Sequence, residues 1–166
     1  MTAAVATGAS RPRRLVVARA LLGALTVTGA AVGGWAQAAP AAFYRGFPGF
    51  GRHWLPPLGP YNEHLVRDFG ALNLGLAAAA LVAAITLTRS ATATASVAWL
   101  VYSVPHLAFH ADHGAAFPAG DDVAVLTTLS AAAAAAAAAW WLVATTAPAS
   151  AVEPQPAQEI EREVTA

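Results

Sequence analysis

The chain has 166 residues, of which 57% are hydrophobic and only 11% charged, with a formal net charge of zero and no cysteine. That charge content is far below the roughly 25% of soluble domains and is a membrane composition. Without cysteine there can be no disulfide, thiolate metal site, iron–sulfur cluster or thiol nucleophile. Without a basic stripe interleaved with aromatics, nucleic acid has no electrostatic footprint. All nine basic residues are arginine, which together with the abundant alanine reads as the codon usage of a GC-rich genome.

In chain order, residues 1–12 are small and polar and are expected to be disordered. Arg11, Arg13, Arg14 and Arg19 then precede or overlap an apolar run at about 15–36. The length of this run favours a spanning helix over a secretory leader, although Ala36-Gln37-Ala38 offers a small-x-small cleavage pattern. Gly29 and Gly33 form a GxxxG pair that lets another helix approach closely. Between Pro40 and Pro60, proline and glycine alternate with Phe43, Tyr44, Phe47, Phe50 and Trp54. So aromatic a segment is expected to be an ordered first outer loop, serving as an interfacial anchor or as a lid over a site.

Three further apolar runs follow at about 65–88, 91–110 and 122–146, with Asn62 placed to cap the second helix and Arg89-Ser90 forming a short turn after it. Pro105 should bend the third run, and Asp121 and Asp122 should open the fourth. Residues 13–147 thus read as one all-α four-transmembrane-helix bundle, followed by a disordered acidic tail at 148–166. The nine alanines from Ala131 to Ala139 favour packing against neighbouring helices. Arginine placement gives the orientation: Arg11, Arg13, Arg14, Arg19, Arg89 and Arg162 fall on one side and Arg45, Arg52 and Arg67 on the other. The positive-inside rule then predicts both termini in the cytoplasm and a multi-pass protein of the bacterial inner membrane.

This topology collects His53, His64, His106, His110 and His113 on the outer side with Glu63, Arg67, Asp68 and Asp112. His106, His110 and His113 share one helical face, and Glu63/Arg67 and His64/Asp68 are i, i+4 pairs. The two polar segments are expected to meet. Glu63, His64, Arg67, Asp68, His106 and His110 are therefore the candidate polar cluster. If a divalent metal or haem binds, the candidate ligands are His106, His110, His113 and His64, since neutral imidazoles one turn apart can chelate.

Three readings of the cluster stand side by side: a structural clasp closing the bundle, a metal or haem redox centre, and a site for an anionic or quinone-like small molecule. The leading function is an accessory or small-ligand-binding membrane protein, and a metal- or haem-dependent redox protein is the alternative. Phosphate loops, a nucleophile elbow and mid-membrane carboxylates are absent from the sequence. The residues leave open whether the chain is an enzyme. The expected partner is the lipid bilayer, with a second copy or a membrane complex as further candidates.

The segments Phe47-Pro48-Gly49-Phe50-Gly51-Arg52-His53-Trp54, Gly59-Pro60-Tyr61-Asn62-Glu63-His64-Leu65-Val66-Arg67-Asp68 and Trp99-Leu100-Val101-Tyr102-Ser103-Val104-Pro105-His106-Leu107 resemble those of small four-helix integral membrane proteins of high-GC bacteria, over roughly residues 15–142. That family carries no assigned activity. In plan alone the chain is also similar to the DoxX-like group, which implies association with a respiratory or redox-stress complex.

Overall fold

A computed structural model describes residues 10–146. The expected tail at 148–166 and most of the expected disordered N-terminus lie outside that range. The chain is all-α: α1 (Ser10–Ala38), a short α2 (Pro40–Gly46), α3 (Glu63–Thr86), α4 (Arg89–Asp112) and α5 (Ala119–Ala144). Between α2 and α3 lies a small antiparallel hairpin, β1 (Pro48–Gly49) and β2 (Arg52–His53), followed by a single 3-10 turn at Pro56–Leu58.

Several boundaries differ from the sequence expectation, each for a local reason. Ser10, Arg11 and Pro12 belong to the first turn of α1, where proline lacks no needed amide. The α3–α4 turn is Leu87-Thr88 rather than Arg89-Ser90. Leu87 takes a left-handed conformation (φ 49°), and the Thr88 hydroxyl caps α4 by accepting from the Ala91 amide at 3.3 Å. α4 runs on through Pro105 to Asp112. Pro118, not an aspartate, is the N-cap of α5, with Asp121 and Asp122 in its first turn where the helix dipole favours them. Asn62 does cap α3, its side chain accepting from the Leu65 amide at 3.1 Å.

The core begins at the α1–α3 seam. Buried Ala18, Leu22, Leu25, Gly29, Gly33 and Ala36 on α1 and Val66, Gly70, Asn73, Ala77, Ala80 and Ala84 on α3 repeat at three- and four-residue spacing, one stripe per helix. The glycines set the approach: a Cβ on Gly33 would stand 2.7 Å from the Gly70 carbonyl oxygen, and one on Gly29 2.8 Å from that of Asn73. α5 packs on α1 and α4, and α4 also meets α3, so the four long helices close a ring. Leu25, Leu76, Ala80, Trp99 and Ala136 fill its middle. Of the alanine run on α5, Ala136 and Ala139 are fully buried while Ala131, Ala134 and Ala137 are exposed, so only one face of that run is packed.

Among the described residues three helices are long and apolar enough to cross a membrane: Arg11–Ala38, Glu63–Thr86 and Gly120–Ala144. α4 has the length but is diluted by Thr, Ser and His residues. Large apolar side chains lie exposed all round the bundle, among them Val27 (68%), Ile85 (67%), Val101 (68%) and Val123 (63%). In water such a surface would aggregate; against lipid it is at home. At one end of the bundle arginines serve as helix caps. Arg19 Nε donates to the Ala84 carbonyl near the C-terminus of α3 (3.0 Å), and Arg89 Nη2 to that of Thr146 just beyond α5 (2.8 Å). Arg14 donates to the Thr145 hydroxyl and sits over the Trp141 ring.

Candidate functional site

At the opposite end, the aromatic segment folds over the bundle. Phe43 is buried between α1 and α3, with Trp35, Phe47 and Phe69 rings around it at centroid distances of 5.5, 4.7 and 5.9 Å. Phe47 continues to Trp54 (5.7 Å), which packs with Phe117 and Val125 at the start of α5. Arg52 of the hairpin pairs with Asp121 on α5, and behind the hairpin the Tyr44 hydroxyl donates to the Gly59 carbonyl at 2.7 Å. His53 is exposed, its Nδ1 lying 2.5 Å from the Arg45 carbonyl oxygen.

Beneath this cover lies a cavity of about 520 Å³, lined from every long helix and from the hairpin segment. Phe69 and Asn73 come from α3, Trp99, Tyr102, His106, Phe109 and His110 from α4, and Thr128 and Leu129 from α5. None of its lining residues is Asp, Glu, Lys or Arg. This size and a mostly apolar wall with few polar groups are those of a small-molecule site. A groove of similar volume between α3 and α4 near their turn has only Ser90 and Thr94 as polar lining and carries no such chemistry.

The histidines in the cavity wall are one α-helical turn apart. His106 Nε2 and His110 Nε2 lie 3.1 Å from each other, with Tyr102 edge-on to His106 and Phe117 against His110. His110 is buried, and its Nδ1 finds no partner; the Nε1 of Trp54 is likewise enclosed and unpartnered. Deeper in the bundle the Thr92, Ser96 and Ser103 hydroxyls are buried without a partner among the described residues, whereas Asn73 and Trp99 are satisfied by backbone. Asn73 Nδ2 donates to the Phe69 carbonyl (2.9 Å), and the Trp99 Nε1 to that of Leu76 (3.2 Å).

The remaining candidates stand elsewhere. Glu63 and Arg67 form an ion pair at 2.8 Å, and Arg67 is joined to Gln37 on α1. His64 pairs with Asp68 at 3.2 Å, with their side chains 86% and 63% exposed. His113 stacks on Phe109 (4.1 Å) and meets its carbonyl through Nδ1 at 2.8 Å. Among the described residues no hydrogen bond or ion pair joins Glu63, His64, Arg67 or Asp68 to the α4 histidines, and no three His, Cys, Asp or Glu side chains gather as metal donors. The two polar segments therefore sit at the same end of the bundle without forming one cluster.

Comparison with protein-family models, curated proteins and solved structures finds no match to this chain.

Sequence reasoning singled out His106 and His110 but missed Trp99, Tyr102, Thr128 and Leu129 as parts of the same wall. The signal was present on α4, where Trp99, Tyr102, His106 and Phe109/His110 recur at three- and four-residue spacing and so share a face. Which of the apolar runs that face would turn towards is a tertiary matter.

Proposed function

We propose that the chain is a four-span protein of the bacterial inner membrane, with both termini cytoplasmic, that holds a small lipophilic molecule in the cavity at its outer end. The cavity carries this reading: about 520 Å³, uncharged in its lining, walled by aromatic rings and furnished with a histidine pair. Supporting the fourth span, α4 with 24 residues is about 36 Å long at 1.5 Å per residue, and it exposes Val97, Val101 and Val104. The arginines at the α1 N-terminal end favour the cytoplasm for that side. In plan the proposed four-span arrangement resembles the small four-helix membrane proteins of high-GC bacteria and the DoxX-like group, and a role beside a membrane complex accords with that resemblance.

The test is extraction. Protein purified in mild detergent is denatured in organic solvent and the extract examined by mass spectrometry, alongside an Ala132→Phe variant that fills the cavity. A small molecule present near one per chain in the wild type and lost from the folded variant is the expected result. Equal recovery from both overturns the reading.

A metal centre is the second reading, and one distance favours it. Two imidazoles sharing a tetrahedral metal at about 2.0 Å hold their nitrogens about 3.3 Å apart, and the His106–His110 separation is 3.1 Å. Haem fits less well, because rings one turn apart on a single helix cannot take opposite faces of one iron. The pair would supply two ligands, the others coming from water or a bound molecule.

A further inference from the structure

Apart from the donor-only indole N–H groups of Trp54 and Trp99, the polar side chains of the cavity have a common property. Thr28, Asn73, Tyr102, His106, His110 and Thr128 can each either donate or accept a hydrogen bond, whereas groups restricted to one charge and one role, carboxylate, ammonium or guanidinium, are missing from its lining. The histidine pair extends this. A hydrogen bond between His106 Nε2 and His110 Nε2 at 3.1 Å needs one protonated and one bare nitrogen. With both rings neutral, one proton occupies the contact and one remains on an outer Nδ1. If His106 donates across the contact, its own Nδ1 is bare; if His110 donates, His106 Nδ1 carries the proton. Exchange of tautomers thus turns His106 from acceptor into donor without changing the charge of the site.

Such a wall suits a ligand whose own oxygen changes between acceptor and donor. An ion is disfavoured, because desolvating a charge against Phe69, Trp99, Phe109 and Leu129 has nothing to offset it. An alkane is disfavoured too, because it would leave the enclosed His110 Nδ1 and Trp54 Nε1 unpaired. Flat aromatic rings at Phe69, Trp99 and Tyr102 favour a planar molecule. We infer that the cavity binds a neutral, lipid-soluble compound of the quinone class, taking both the carbonyl and the hydroxyl form, with Tyr102 and the His106–His110 pair meeting its oxygen. This rests on the small-ligand reading above and adds the ligand's chemistry.

Binding is measured by calorimetry on the protein in nanodiscs, using decyl-benzoquinone, its quinol, decylbenzene and decanoate as probes. Quinone and quinol are expected to bind within about threefold of each other and about tenfold tighter than decylbenzene, as one or two neutral hydrogen bonds allow. Decanoate is expected not to bind. Tyr102→Phe, which keeps the ring and its packing, should weaken quinone and quinol about fivefold and leave decylbenzene unchanged; His106→Phe should do the same. Equal affinity for quinone and decylbenzene, or variants without effect, overturns the inference while the small-ligand reading stands. Binding of only one of the two oxidation forms overturns the two-way match. If no probe binds to folded protein, the small-ligand reading falls with it.

Discussion

Gln37 and Arg67 hold each other twice: Gln37 Nε2 donates to the Arg67 carbonyl at 2.6 Å, and Arg67 Nη1 donates to the Gln37 carbonyl at 2.7 Å. The exchange ties the end of α1 to the start of α3, and it closes one of the orphan carbonyls in the last turn of α1. Arg67 also reaches back to Glu63 on its own helix. Each of the three guanidinium nitrogens of Arg67 thus has a partner on α1 or α3.

Because these groups are exposed, Arg67→Ala should cost only about 1 kcal/mol of stability. Thermal unfolding in detergent measures it, with ligand occupancy of the cavity unchanged. A loss of ligand in a folded Arg67→Ala protein would place Arg67 in the site and contradict its assignment to the α1–α3 clasp.

The helix seam gives a sharper expectation. A Cβ at Gly33 would meet the Gly70 carbonyl oxygen at 2.7 Å and Leu74 at 2.9 Å, mostly backbone that cannot move aside. Gly33→Leu should therefore destabilise the protein by about 2 kcal/mol or more through overpacking. Gly23→Leu is the control, since nothing lies within 4 Å of a Cβ there. Equal stability of the two variants would mean that α1 and α3 do not pack through these glycines.

The α1 side of this seam was legible in the sequence as the Gly29/Gly33 GxxxG pair, but that α3 is the helix which approaches it was not. The Asn62 cap was likewise legible from local sequence. The Glu63–Arg67 pair was legible as an i, i+4 spacing, but the exchange of Arg67 with Gln37 was not, since only the position of α1 brings that backbone carbonyl within reach. The Arg52–Asp121 tie joins residues far apart in the chain and leaves no periodic trace. The cavity was hidden because it is a property of the space enclosed by the four long helices and the hairpin segment, whereas the residues around it each look like ordinary core.

Orientation has a direct test in a chain that lacks cysteine. Phe50 at the tip of the hairpin is 99% exposed, and Ser90, at the start of α4 beside the α3–α4 turn, is exposed as well. With the arginine-rich end in the cytoplasm, a membrane-impermeant maleimide added to intact cells should label Phe50→Cys and spare Ser90→Cys until the cells are opened. Labelling of Ser90→Cys alone would invert the protein. Labelling of both in intact cells would remove α3 from the set of spans, since α3 is the long helix that separates the two positions.

The histidine pair decides between the two readings of the cavity. Held by a hydrogen bond, His106 and His110 need no metal, and purified protein should show neither bound metal nor haem absorption. Held by a metal, they should carry it in amounts that fall to background in the His106→Ala/His110→Ala variant while His64→Ala and His113→Ala keep it. That last contrast follows from the structure, because His64 is paired with Asp68 and His113 is stacked on Phe109 at the surface. Metal retained by the folded double variant would lie outside this pair and end the metal reading of the cavity. Metal lost from the double variant and also from His64→Ala would instead require α3 to contribute a ligand, which would need the exposed turn of α3 to swing towards α4.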